Sequence, residues 1–254
     1  MISALGDRMK EYEKAYNIVL PKRLPIIVRV DGKAFHTLLC GNTETFSNSI
    51  KACIDNVASD LMNEIQGAVF GFAQSDEISI LVVNYSSLEY SPWFGNELQK
   101  LCSISASVAT KAFNYAKNNG NHVGIHSDAL FDARTFILPK EEVCNYFIWR
   151  QQDWTRNSVQ MLARSLYSQN QLNDKNNEEL QEMIFQKGKN WNDLETWKKR
   201  GRCFYTEKYN VQGPVDDETW SRIKTDDNPP IFTQDRNYVE KHVFIEVDDD
   251  KNSK

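Results

Sequence analysis

Two acids set into apolar runs are the residues of this chain best suited to chemistry. Asp31 closes the apolar run of residues 25–36 (PIIVRVDGKAFH), and Asp76 sits between the two apolar halves of residues 70–83 (FGFAQSDEISILVV). Paired carboxylates at one end of a sheet are the usual way to hold Mg²⁺ against a nucleoside triphosphate. The ion keeps several waters and needs only one or two acids when phosphates complete its shell. Two such ions activate an attacking oxygen and stabilise a leaving pyrophosphate. Lys33 follows the first acid directly, so the turn DGKAFH offers backbone N–H groups as an anion cradle and an ammonium as a point charge. The plainer alternative is that Gly32 permits a tight turn and Lys33 is solvated. Ser75 offers a hydroxyl to a phosphate or a metal-bound water, or else forms the turn. Alternation puts Glu77 on the strand face opposite Asp76, a place for a supporting partner rather than a ligand. Phe35 either stacks on a base or joins the core.

These acids need elements to bring them together. After a short helix expected over residues 8–20, Pro21 and Pro25 lead into a strand at 26–30. Apolar residues at Ile50, Cys53, Ile54, Val57, Ala58, Leu61, Met62 and Ile65 keep the spacing of an amphipathic helix. Apolar runs at 68–73 and 78–83 flank the polar Gln74-Ser75-Asp76, which predicts a hairpin. A second helix carries Leu98, Leu101, Cys102, Ser105, Val108, Ala109, Ala112, Phe113 and Ala116 on one face, and a loop at 118–127 leads to a strand at 133–138. The order βαββαβ is ferredoxin-like, an α+β class. In it the first and third strands are antiparallel neighbours, so the end of the first meets the turn that begins the third. Asp31 and Asp76 occupy those two places.

Three segments are expected. Residues 1–140 form the catalytic domain with its helical lead-in, 141–212 a polar helical region opened by Pro139, and 213–254 an acidic C-terminal arm with apolar runs at 231–232 and 243–245, an appended strand or an extended segment. The helical region has an Asn/Asp-rich break at 170–177 and holds Trp149, Trp154, Trp191 and Trp197. The last segment has six Lys/Arg against eleven Asp/Glu and so carries the whole formal charge of −5, which leaves 1–212 near neutral and able to present a basic face. Its densest basic run is Lys198, Lys199, Arg200 and Arg202 beside Trp197.

With 254 residues, 41% hydrophobic and 26% charged, the chain has an ordinary globular composition. No window reaches the roughly 18 to 20 apolar residues of a membrane span, and the N-terminus lacks the apolar core of a signal peptide. An intracellular protein without a membrane partner is expected, in the cytoplasm, with mitochondria also open. The five cysteines are scattered singly, which argues against a disulfide framework or a zinc site.

Four motifs in order, RVDGKAFH, QSDEIS, FDAR (131–134) and WRQQDWTRNS (149–158), resemble the tRNA-His guanylyltransferase superfamily over about residues 5–202. The closer likeness is to its guanylyltransferase-like branch of 3′-to-5′ RNA polymerases. The resemblance implies a polymerase-type palm, two Mg²⁺ ions, GTP, ATP and other NTPs as substrates, tRNA as partner, and a homotetramer. It makes Asp31, the Gly32 carbonyl and Asp76 the metal ligands, with the two acids as catalytic residues. It makes Lys33, Ala34, Phe35, His36 and Ser75 nucleotide contacts, with Arg29 and Lys100 handling phosphate or 5′-end activation. For tRNA it points to Arg150, Arg156, Asn157, Lys198, Lys199 and Arg200.

One departure matters. Guanylyltransferases that act on tRNA-His carry His-Ile-Asn-Asn-Leu-Tyr-Asn after the WRQ segment, whereas residues 155–161 here read TRNSVQM and keep only Asn157. That favours template-dependent repair of 5′-truncated tRNA over strict guanylate addition to tRNA-His at position −1. A palm-type nucleotide cyclase is the rival from another reaction class. A non-enzymatic RNA-binding protein is disfavoured by the two acids.

Overall fold

A computed structural model describes residues 4–39, 44–87, 89–120, 127–212 and 217–245, with side chains of 208–220 outside the description. Cys40 and most of the expected loop at 118–127 fall outside it. The elements are α1 (Ala4–Lys14), β1 (Ile26–Gly32), α2 (Phe35–Leu38), α3 (Asn48–Glu64), β2 (Ala68–Gln74), β3 (Glu77–Val82), α4 (Leu98–Asn119), β4 (Phe131–Ile137), α5 (Lys140–Arg164), α6 (Gln169–Leu172), α7 (Asn177–Gln186), α8 (Thr196–Arg200), β5 (Arg202–Gln212), β6 (Asp217–Asp226) and α9 (Asn237–Glu240).

The strands form one antiparallel sheet in the order β4-β1-β3-β2-β5-β6. Its first four strands are the expected ferredoxin-like set. The apolar runs of β1, β2 and β3 are nearly continuous because both sheet faces are covered. On one face Val28, Val30, Ile78 and Ile80 pack under α3 and α4, through Ile54, Val57, Leu61 and Phe113. On the other, Ile27, Phe70, Phe72 and Leu81 pack under Val143 and Phe147 of α5. A smaller cluster joins Val159 and Leu162 of α5 to Leu180 and Ile184 of α7.

Three expectations change. The N-terminal helix runs over Ala4–Lys14 rather than 8–20 and buries no residue. Residues 202–212, expected to be helical, form β5 beside β2, and β6 adds a further strand. The C-terminal segment is more than an arm. Phe232, Val239 and Val243 are fully buried in the α5-side core, and Gln151 fixes their approach by donating to the Pro230 carbonyl (2.9 Å) and accepting from the Phe232 N–H (2.9 Å). The physical reason is that β2 and β5 expose an apolar face that α5 alone does not cover. Cys53, Cys102, Cys144 and Cys203 are free thiols. Among the described residues no helix is long and apolar enough to cross a membrane.

Candidate active site

Asp31 is the last residue but one of β1, with Glu77 of β3 opposite on one side and Asp132 of β4 on the other. Asp76 stands in the two-residue turn that joins Gln74 to Glu77. Both motifs hold a non-glycine residue in the left-handed region, Ala34 at φ 54° and Ser75 at φ 49°. Such conformations persist only where the surrounding structure over-determines them. Between the acids lies Gly32. A Cβ there would come within 2.9 Å of Asp76 Oδ2 and 2.2 Å of the Phe35 ring, so only glycine lets the main chain lie against the second carboxylate.

The electrostatics suit a cation. Burial pushes Asp76 up to about 6, against the Ser75 hydroxyl, and Asp31 and Glu77 add repulsion. Burial likewise raises Asp31, with Asp132 adding to it and Arg29, Arg134 and Arg150 opposing. Two desolvated carboxylates beside a glycine main chain form an all-oxygen donor set, the kind a hard divalent ion takes. Among the described residues no group of three or more His, Cys, Asp or Glu could hold a metal, so two acids and a carbonyl would leave most of a shell to phosphate and water.

Glu77 is otherwise engaged. Arg150 of α5 donates to both its oxygens, Nε to Oε1 at 2.7 Å and Nη2 to Oε2 at 2.8 Å, and Gln74 Nε2 donates at 3.1 Å. Arg150 also reaches Asp153 at 3.0 Å and lies 4.3 Å from the Trp149 ring. At 6% exposure it is an internal brace, which corrects its assignment to tRNA. Arg29 is mostly buried on the same face, 3.8 Å from Glu77 Oε2, with Nε unpartnered.

Other assignments also shift. The Phe35 ring is in the core, edge-on to Phe113 and Phe131 at 5.2 Å each, so it does not stack on a base. The Lys33 N–H is spent on the Leu130 carbonyl at 2.8 Å, which leaves its exposed ammonium to meet an anion. Ala34 and His36 are exposed beside it. Lys100 lies apart: Thr110 of α4 meets Phe131 near the acids, and Lys100 is roughly 15 Å further along that helix, paired with Glu97 at 3.0 Å. Helix packing, which local spacing does not reveal, sends it to the far end.

The acids open into a cleft lined by Ser75, Arg150, Asp153, Trp154, Asn157 and Met161. Residues 150, 153, 154, 157 and 161 are one stripe of α5, and this helical spacing is the sequence signal that points to Asp153 and Met161. Asn157 is thus brought to the acids. Ser75, Trp154 and Met161 also line a second cavity of about 740 Å³, part of it open to solvent, walled by Phe46, Ile50, Lys51, Trp197 and Arg202. Trp154 and Trp197 are 43 residues apart in sequence, so no local spacing marks this cavity.

A family model described as tRNAHis guanylyltransferase matches residues 6–139, the segment that carries both acids. The chain belongs to that family. As a tRNAHis guanylyltransferase family member it is a nucleotidyltransferase of α+β fold. A bacterial tRNA(His) guanylyltransferase-like protein solved in complex with ATP is 42% identical with a TM-score of 0.87, covering 96% of this chain and 100% of that one. A structure so described in complex with GTP is 41% identical with a TM-score of 0.82 at the same coverage. The tRNA(His) guanylyltransferase of Debaryomyces hansenii is 30% identical over 165 residues, 63% of this chain, and the chain spans 60% of that protein's length.

The residues of the basic run are differently engaged. Lys198 pairs with Glu195 at 2.9 Å and Lys199 donates to the Asn192 carbonyl. Arg202 is buried against Asp55 of α3, which removes it from any basic surface. Arg156, paired with Asp153, and Arg200 line a groove with Trp149 and Trp191.

Proposed function

We propose that this chain is a Mg²⁺-dependent nucleotidyltransferase that adds nucleotides to tRNA 5′ ends in the 3′-to-5′ direction and repairs 5′-truncated tRNA by templated addition. The observation that carries the reading is the meeting of Asp31, the Gly32 main chain and Asp76 at an open sheet end. Asp31, Asp76 and the Gly32 carbonyl would hold the Mg²⁺, which when bound neutralises phosphate charge and activates the attacking oxygen. Lys33 offers its ammonium to the triphosphate and Ser75 its hydroxyl, while Asn157 and Asp153 shape the opposite wall. The aromatic cavity seats a base. The 3′-hydroxyl of the incoming NTP attacks the activated 5′ phosphorus and loses its proton, and pyrophosphate or AMP departs with the bonding electrons. The protein's share is positioning and charge stabilisation.

Residues 155–161 support templated selection. The single Thr155 hydroxyl proton is shared between the Gln151 (2.9 Å) and Lys199 (3.2 Å) carbonyls, and the Ser158 hydroxyl donates to the Thr155 carbonyl and accepts from Trp191 Nε1 at 3.0 Å. Polar groups spent on internal packing are poorly suited to read an anticodon. Arg156 and Arg200 are the basic residues best placed for the tRNA backbone. Tetramer assembly rests on the family resemblance, and an intracellular site of action, cytoplasm or mitochondrion, on the composition and the N-terminal sequence.

The test is incubation of the purified protein with 5′-truncated tRNAs, full-length tRNA-His and each NTP, with Mg²⁺ or with chelator. Addition of whichever NTP pairs opposite the gap, lost with chelator and in Asp76→Asn, is expected. Addition of G alone, only to tRNA-His and irrespective of the opposing base, would replace the reading with strict guanylate addition. A product from NTP without RNA would mark a cyclase.

A further inference from the structure

The outer side of α5 carries a groove of about 1430 Å³, part of it open to solvent and nearly twice the size of the aromatic cavity. Trp149, Gln152, Arg156, Trp191, Asn192 and Arg200 line it. Asp153 lines both this groove and the acid cleft, so the two meet at that side chain. The tryptophans are fixed before any ligand arrives. Trp149 is 49% exposed, yet its ring lies 4.3 Å from the Arg150 guanidinium and edge-on to Tyr146 at 5.9 Å, and Arg150 is itself locked to Glu77. Trp191 is pinned by its Nε1 bond to Ser158 at 3.0 Å, with the Lys199 ammonium 5.8 Å from its ring. Arg156 is exposed and held by Asp153, and Arg200 makes no ion pair or hydrogen bond among the described residues. Preset aromatic rings beside exposed cations suit a single-stranded nucleic acid, whose bases stack on the rings while its phosphates meet the arginines. The side of a duplex hides its base faces and offers such rings little.

We propose that this groove holds the unpaired 3′ strand of the RNA just beyond the template base, with Trp149 as the stacking platform that positions the template over the acids. The inference rests on the templated-addition reading above. Growth of a 5′ end into a gap leaves the partner strand unpaired at the template base and past it, so that strand must leave the active site as a single strand. The acids have aromatic surface on two sides. The enclosed cavity of Phe46, Trp154 and Trp197 is the size of a nucleotide site and takes the incoming monomer, whereas the open groove meets the cleft from outside and has room for a strand. Stacking is indifferent to the base, because every base has a π-face. The groove therefore accepts any sequence and leaves selection to pairing at the template. The phosphates beside the stacked base fall to Arg156 and Arg200.

The experiment uses the full chain and two labelled RNA hairpins that lack their first 5′ nucleotide. In one the 3′ strand stops at the template base, and in the other it runs past it; binding is followed by fluorescence anisotropy without Mg²⁺ or NTP. The longer strand should bind about tenfold tighter, the lower end of what one stacked base contributes, and should keep that advantage when its overhanging bases are changed. Trp149→Ala should bring the two hairpins to equal affinity, and Trp149→Phe should keep most of the preference. Equal affinity in the wild type, which needs no variant to fold, would overturn the proposal, as would a Trp149→Ala protein that binds both hairpins more weakly by the same factor. Addition of G alone, irrespective of the opposing base, beside a clear overhang preference would instead overturn the templated reading, with the groove still shown to hold a single strand.

Discussion

Glu77 and Arg150 sit 73 residues apart in sequence and meet as a two-point ion pair behind the candidate site, with side chains 12% and 7% exposed. Removing one partner of such a buried pair costs about 3–5 kcal/mol, because the other charge is left desolvated and unpaired. For Glu77→Ala the Arg150 guanidinium keeps its 3.0 Å bond to Asp153 and the Trp149 face, which places the expected loss at the lower end, about 3 kcal/mol. In Arg150→Met the orphan is Glu77, left with Gln74 at 3.1 Å and Arg29 at 3.8 Å. Burial already raises Glu77, and Arg150 is the largest influence opposing it, so in this variant the carboxyl is pushed further up. A folded pKa above the unfolded one means stability is regained as pH falls through the folded value towards the unfolded one. Arg150→Met should therefore be most damaging at pH 8 and less so at pH 5. Glu77→Leu with Arg150→Met replaces both charges by apolar groups and should cost about 1 kcal/mol or less. Urea unfolding followed by far-UV circular dichroism at both pH values reads all three variants. Single-variant losses that simply add in the double variant, within about 0.5 kcal/mol, would refute the pairing argument.

Asp76→Asn should abolish nucleotide addition yet stabilise the metal-free fold at pH 8 by about 1–3 kcal/mol, since it removes a carboxylate that burial holds near 6. Mg²⁺ should raise the melting temperature of the wild type only, and a less stable Asp76→Asn protein would contradict the assignment. Gly32→Ala puts a methyl 2.2 Å from the Phe35 ring, so about 1–3 kcal/mol of stability should go together with activity; a fully active variant in the addition assay would show that the close approach is dispensable. His242, between the Phe70 and Tyr205 rings and with Nε2 unpartnered, is lowered to about 4 chiefly by burial. Its folded pKa lies below the unfolded one, so its share of stability is whole above pH 6.5 and is lost as pH falls to about 4, by about 2 kcal/mol. His242→Phe should flatten that acid limb in pH-dependent melts, and an unchanged limb would exclude His242 as its source. Neutralising Arg156 and Arg200 should each lower the salt slope of tRNA binding by about one, whereas an unchanged slope would return both to ordinary surface.

Much of the site was legible in the chain because its determinants are local. Apolar spacing marked α3, α4 and β1 to β4, and one topological rule then placed Asp31 beside Asp76, since strand adjacency in a βαββαβ unit leaves few alternatives. Alternation separated Glu77 from Asp76, but Glu77 pairs in register with Asp31, and it is the hydrogen bonds from Arg150 and Gln74 that occupy its carboxylate. Reading side chains by type was less dependable. Phe35, Lys100, Arg150 and Arg202 all carry groups that suit nucleotides or RNA, and all four are turned into the core or sent to a distant helix end.

What tertiary structure alone decided is which face each residue shows and what stands across from it. Residues 213–254 read as an appended strand or arm with two apolar runs, and only the apolar face left by β2 and β5 decided that Phe232, Val239 and Val243 are core. The stripe of α5 over the acids, the aromatic cavity and the buried Nη2 of Arg202 all arise where segments more than seventy residues apart in sequence are packed together. A sequence carries the periods that build each element. The burial, pairing and pKa of a given side chain come from neighbours chosen by long-range packing, and no local pattern encodes them.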